Sequence, residues 1–444
     1  MKQSIILMLI GFWTALSYGQ EMKPCGTAML ARRHVKTHTA MARQKAPEKR
    51  RVFSGEKKGL IILVEFPDVS FSSDNPLQTW SDIANKPGYN DNGAYGSVSD
   101  YFQDQSYGRF KLNFDVVGPV TAAQTHDYYG MNIDWGEPTN WFDQNVGELV
   151  EEACKGVADQ VNFADYDWDD DGEVEQVFLL YAGHGENDYW RKDSTVIWPH
   201  AASLVLDWGY EGGLIVQGRK IDVYACSNEI SRSNELAGMG TFCHEFSHCL
   251  GLPDLYNTKT NAPVVGFYDV MSQGSYNGGG WCPAGYSSYE RYVCGWLEPL
   301  AIEDPEILLG DPRSDLGNPM STLLRPLHLY PDACLYRTSE EANDYYLIEY
   351  REKKSWDSYL WSGSQPEGKL TAWHIDYDEE IWEKNEVNND PEHLRVVHMP
   401  VDQVPTAISD ALSEEKKIIG IYDFVNYPFV IVRYSDGTTK KVFR

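Results

Sequence analysis

Two histidines four residues apart, His244 and His248, with Glu245 beside the first, are the residues best equipped for chemistry in this chain. On a helix, positions i and i+4 lie one turn apart on one face, so both imidazoles can point at one ion. Neutral imidazole nitrogens suit zinc. Glu245 is rotated off that face by one residue. It is placed to take a proton from a metal-bound water rather than to act as a ligand. Zinc lowers the pKa of such a water to about 7, which makes hydroxide available for attack on a peptide carbonyl.

A catalytic zinc takes three protein ligands and keeps a position for water. The chain has 11 histidines and none lies between His248 and His328, so a third histidine close by does not exist. Gly251 allows a sharp turn after the helix, and that turn returns Asp254 to the metal. Glu290, on a later helix, is the alternative ligand. The extended pattern H-E-x-x-H-x-x-G-x-x-D is much more specific than its first five positions. A second acidic run, Asp167-Trp168-Asp169-Asp170-Asp171-Gly172, spaces carboxylates alternately around a turn, as a hard cation such as calcium requires. Asp167, Asp169, Asp171 and Glu175 are its expected ligands. Phe178 stands at the twelfth position, where a full EF-hand needs a glutamate, and a solvated acidic turn is the alternative reading.

These residues need elements to hold them. Met239 to Leu250 reads as a helix stopped by Gly251 and Pro253. Gly59 to Phe66 and Val174 to Tyr181 are apolar runs of buried strands. Ser97 to Ser106 reads as a capped helix that ends at Tyr107-Gly108 and leads into a strand over Phe110 to Val117. Asn145 to Val157 and Tyr286 to Val293 read as helices. From about Pro299 the pattern turns to strands, with Tyr345 to Tyr350, Lys369 to Ile375 and Phe429 to Tyr434 the clearest, and a hairpin over Tyr427 to Arg444. The expected class is α+β: a twisted sheet with an active-site helix over 59–298, followed by a mainly β C-terminal region over 299–444.

Residues 1–19 read as a secretory signal peptide, with Lys2 ahead of the apolar run Ser4 to Leu16 and small residues at Ser17-Tyr18-Gly19. Residues 20–58 are rich in Lys and Arg and read as a basic pro-segment, cut near Lys49-Arg50-Arg51, or as a solvated lead-in. No later stretch is long and apolar enough to span a membrane. A net charge of -28 repels phosphate backbones and argues against nucleic acid as a partner. The 8 cysteines include no C-x-x-C pair, so a structural zinc knuckle is not indicated, and disulfides or buried thiols both fit an exported chain. Cys25, behind Lys23-Pro24, is a candidate thiolate to close the zinc's open position, with a disulfide or free thiol as alternatives.

The stretch GTFCHEFSHCLGLPDLY from Gly240 resembles the zinc signature of the immune inhibitor A-like metallopeptidases, within the metzincin group. YDVMSQGSY from Tyr268 is similar to that family's methionine-containing turn. Other stretches also resemble the family: GLIILVEFPDVSF from Gly59, SVSDYFQDQSYGRFKL from Ser97, VFLLYAGHGE from Val177, IWPHA from Ile197, PAGYSSYERYVCGWLEP from Pro283 and LTAWHID from Leu370. The resemblance implies a metzincin-like fold, Asp254 as third zinc ligand, Met271 as an apolar floor beneath the zinc, and a secreted endopeptidase acting on extracellular proteins or peptides. It also makes Tyr276 a candidate to stabilise the oxyanion, although Tyr276 lies five residues past Met271, further than the tyrosine of the best-known pattern. His200 is a second candidate for that role.

Overall fold

The computed structural model describes residues 50–134, 141–187, 194–302, 324–337, 343–360, 368–404, 418–423, 429–434 and 439–443, the last three segments by their backbone alone. The stretch expected to be a signal peptide, most of the expected basic lead-in and Cys25 lie outside the described residues. Among the described residues no helix is long and apolar enough to cross a membrane.

The first sheet is built from β1 (Gly55–Glu65), β2 (Phe110–Thr121), β3 (Val177–His184), β4 (His200–Ser203) and β5 (Val223–Ile230). Its order is β2-β1-β3-β5-β4, parallel except for the antiparallel edge strand β4. A central parallel strand is covered on both faces, which is why β1 and β3 read as unbroken apolar runs. Alternate side chains divide between the faces. Ile61, Leu63, Phe178 and Leu180 enter one core cluster, and Leu60, Ile62, Val177 and Leu179 the other. The helices Val98–Gln105 and Gly240–Ser247 cover the first face, and Val146–Gly156 covers the second.

Two sequence boundaries move. β1 starts at Gly55, inside the stretch expected to be a lead-in, because its basic residues have partners on the folded body. Lys58 Nζ lies 3.1 Å from Asp115 and 3.0 Å from Asp165. Ahead of the strand, Arg50 donates to the Tyr292 carbonyl at 3.0 Å and pairs with Glu298 at 2.9 Å. The expected strand over Val174 to Tyr181 is broken at Glu175 and Gln176. Glu175 turns back to accept the Trp168 N–H at 2.7 Å, and Gln176 is buried with its amide 3.4 Å from the Glu245 carbonyl.

The second sheet comprises β6 (Leu300–Ile302), β7 (Cys334–Tyr336), β8 (Asp344–Glu352), β9 (Gly368–Asp376) and β10 (Val396–Pro400), in that order. It is antiparallel apart from the β6–β7 pair. Leu335, Tyr345, Leu347, Trp373 and Ile375 on one of its faces join the same core cluster as Phe242, Phe246 and Met271. The helix Gly240–Ser247, buried along its whole length, therefore packs into a core fed by both sheets. The last strands, β11 (Ile418–Asp423), β12 (Phe429–Tyr434) and β13 (Thr439–Phe443), form a separate three-stranded antiparallel sheet that contains the expected C-terminal hairpin.

A buried ionic clamp ties the second sheet to the body. Arg351 donates to Asp357 Oδ2 at 2.7 Å, to Glu349 at 3.2 Å and to the Gly285 carbonyl at 3.1 Å. Glu349 accepts the Ser288 N–H at 2.6 Å and the Trp373 indole at 3.0 Å. Burial alone would lower the guanidinium's pKa, but Asp357 and Glu349 raise it, so Arg351 stays charged.

Candidate active site

The helix expected over Met239–Leu250 is α-helical over Gly240–Ser247 and tightens to a 3-10 turn over His248–Leu250. Gly251 then adopts φ 81°, the left-handed cap that a residue without Cβ takes readily. The chain reverses there and carries Asp254 back beside both histidines. Asp254 Oδ1 lies 3.0 Å from His244 Nε2 and 3.6 Å from His248 Nε2. Metal–ligand bonds of about 2.0–2.1 Å at tetrahedral angles would separate ligand atoms by about 3.3 Å, between these two distances.

The tautomers favour the same arrangement. His244 Nδ1 lies 2.7 Å from the Val270 carbonyl and His248 Nδ1 2.8 Å from the Leu252 carbonyl. A carbonyl only accepts, so each Nδ1 carries the proton and each Nε2 offers a lone pair towards Asp254. The Nε2 of His248 is buried and has no hydrogen-bond partner among the described residues. Burial pushes the pKa of His248 down to about 4 against the pull of Asp254, which keeps the ring neutral near pH 7. Burial opposes ionisation of Asp254, but the facing imidazoles, whenever they carry a proton on Nε2, and the Asn385 amide outweigh it and hold the carboxyl below its ordinary range.

Glu245 is fully buried, with Oε2 3.9 Å from His248 Nε2. Carboxylate and histidine atoms of His244, Glu245 and His248 lie within 4.8 Å of one another. His244 and Glu245 line a narrow cleft together with Thr241, Tyr256, Pro263 and Tyr276. Tyr276 is thus at the cleft, and Tyr256, two residues past Asp254, shares it unforeseen.

Met271 is fully buried. Its turn is held by Asp269, which accepts the Met271 N–H at 2.8 Å and the Ser287 N–H at 3.3 Å. Besides the bond from His244 to Val270, the turn accepts the Leu255 N–H on the Met271 carbonyl at 2.8 Å. One turn therefore orients the first histidine and the segment that carries Asp254.

Other expectations are corrected. Glu290 is not at the histidines. It closes a capping box with Ser287 at the start of the helix Ser288–Val293, where it accepts the Ser287 N–H at 2.9 Å. His200 sits in the core rather than in the cleft, with Nδ1 2.5 Å from the Trp198 carbonyl and Nε2 2.8 Å from the Tyr224 hydroxyl. Burial pushes its pKa to about 4. All seven described cysteines are thiols; six are buried and Cys249 is half-buried.

At the acidic loop, Asp167, Asp169 and Asp171 present oxygens within 4.8 Å of one another. Asp170 and Gly172 take positive φ, of 60° and 97°. Asp167 accepts the Gly172 N–H at 3.0 Å, and Arg219 pairs with it at 2.7 Å. Glu175 is absent from the trio because its carboxylate is turned to Trp168, and burial raises its pKa to about 7.

Asparagine side chains from beyond the second sheet's central strands reach the loop that follows Gly251, and no spacing rule pointed to them. The Asp254 N–H donates to Asn385 Oδ1 at 2.7 Å, and Asn385 Nδ2 donates to Asp254 Oδ2 at 2.6 Å. Asn388 donates to the Leu255 carbonyl at 3.0 Å, and Asn389 accepts the Lys259 N–H at 3.2 Å.

Residues 46–294 match the immune inhibitor A peptidase M6 catalytic domain. The chain is 28% identical over 293 residues to the pre-pro-metalloprotease PrtV of Vibrio cholerae, covering 56% of this chain and 31% of that protein. It is 23% identical over 286 residues to immune inhibitor A of Bacillus thuringiensis subsp. alesti, covering 55% of this chain and 41% of that protein. The matched stretch is thus less than half the length of either relative. With more than half of its own length matching the family's catalytic domain, the chain belongs to the immune inhibitor A (M6) peptidase family.

Proposed function

We propose that this chain is a secreted zinc-dependent endopeptidase that hydrolyses peptide bonds of extracellular proteins. The observation that carries the reading is the convergence of His244 Nε2 and His248 Nε2 on Asp254 Oδ1, at 3.0 and 3.6 Å, beside a buried glutamate and a cleft. These three atoms would hold the zinc. When bound, zinc polarises the scissile carbonyl and lowers the pKa of water to about 7. Glu245 takes the proton of the attacking water and delivers it to the leaving amine. Tyr276, which lines the same cleft, is the residue proposed to donate to the developing oxyanion. Met271 supplies a rigid apolar floor. The test is casein hydrolysis by the purified chain. A zinc chelator should abolish cleavage and added zinc should restore it, and cleavage that persists through metal removal would sink the reading.

The acidic loop is proposed to hold calcium on Asp167, Asp169 and Asp171, since their oxygens converge and Gly172 makes the turn. Glu175 joins them only if its carboxylate leaves Trp168. Calcium should raise the melting temperature of the parent chain but not of Asp169→Ala. Equal melting with and without calcium would remove the site.

A further inference from the structure

We infer that Asn385 is a positioning residue for the metal centre, and that the metal-binding unit therefore extends through the second sheet to the segment 385–389, well past the end of the matched catalytic domain at residue 294. The inference rests on the zinc reading of His244, His248 and Asp254.

Asp254 must direct one oxygen at the histidines, and a carboxylate on a loop has freedom to turn away. Asn385 removes that freedom with a reciprocal pair of bonds. Its Oδ1 accepts the Asp254 N–H at 2.7 Å and its Nδ2 donates to Asp254 Oδ2 at 2.6 Å. The second bond occupies the oxygen that does not face the histidines, so Oδ1 alone is left towards them. The amide is uncharged, so it fixes the carboxylate without cancelling the negative charge a cation needs. A lysine or arginine there would compete with the metal.

Asn385 is itself held. It adopts φ 52°, a left-handed conformation that asparagine tolerates. Its carbonyl accepts the Thr258 hydroxyl at 3.2 Å. Three residues on, Asn388 donates to the Leu255 carbonyl and, at 2.9 Å, to Val396 on β10. Asn389 donates to the Thr258 hydroxyl at 2.8 Å. The loop after the signature helix is thus clasped by asparagines that β10 anchors. Hydrogen-bond partners of metal ligands affect affinity by about 10–100-fold.

The left-handed backbone dictates the variants. Asn385→Gly keeps φ accessible and deletes only the amide, whereas Asn385→Asp keeps the shape and sets a second carboxylate against Asp254. Zinc affinity of the full chain would be measured by competition with a chromophoric chelator, together with the visible spectrum of the cobalt-loaded form and melting of the metal-free form. Asn385→Gly should lose about 10–100-fold in zinc affinity and alter the cobalt spectrum, with metal-free melting close to that of the parent. Asn385→Asp should also shift affinity and spectrum. Affinity within twofold of the parent and an unchanged cobalt spectrum in both variants would overturn the inference. A parent chain that binds no zinc, or His248→Ala that binds as the parent does, would instead overturn the metal reading beneath it.

Discussion

Glu245→Ala should lower casein hydrolysis by about 10²- to 10⁴-fold while the chain still binds zinc, the range over which a positioned general base acts. The expectation follows from where the carboxylate sits. Glu245 is fully buried, next to His244 on the helix, with Oε2 3.9 Å from His248 Nε2 and its side chain at the cleft. Asp254 Oδ1, at 3.0 and 3.6 Å from the two imidazole nitrogens, lies closer to them than the 3.9 Å between Glu245 Oε2 and His248 Nε2, so Asp254 is the expected third ligand. Loss of zinc is therefore not the expected route to loss of activity. Glu245→Gln separates charge from shape, because it keeps the volume and removes the base. Zinc content, melting and turnover measured together decide the matter. Turnover within a few-fold of the parent in either variant would rule Glu245 out as the base.

Arg351→Met should destabilise the fold by about 3–5 kcal/mol, the cost of removing one partner from a buried ion pair. Arg351 is 1% exposed and serves Glu349, Asp357 and the Gly285 carbonyl together. Its loss strands two buried carboxylates at the point where the second sheet meets the helix Ser288–Val293. Chemical denaturation gives the number. A double variant with Asp357→Leu should recover part of the loss, since it removes one stranded charge and not merely its partner. A single variant within about 1 kcal/mol of the parent would show that the clamp does not hold the sheet.

The parts of the site legible in the sequence are those written in local spacing. A four-residue interval between histidines has meaning only on a helix, and Gly251 marks where that helix stops. Together these bring His244, His248 and Asp254 to one place, within a stretch of eleven residues. The apolar runs of β1 and β3 were legible for the same reason, since burial on both faces leaves an unbroken pattern. Position Asn385 carries no such mark. It lies 131 residues from its partner, in a polar stretch, and its partner is known only once the second sheet has packed. His200 fails as a cleft residue for the converse reason. A histidine is chemically versatile in any sequence, and only the Trp198 carbonyl and Tyr224 hydroxyl around it show that its nitrogens are occupied. Glu175 follows Gly172 at a ligand-like interval, yet a backbone N–H claims it first.

The methionine turn gives the two arms of the site a common origin. Val270 receives the bond from His244, and Met271 receives the bond from the residue next to Asp254. A displacement of that turn would carry a histidine and the segment of the aspartate together, so the turn couples the two arms. A site whose arms were anchored on unrelated elements would lack that coupling.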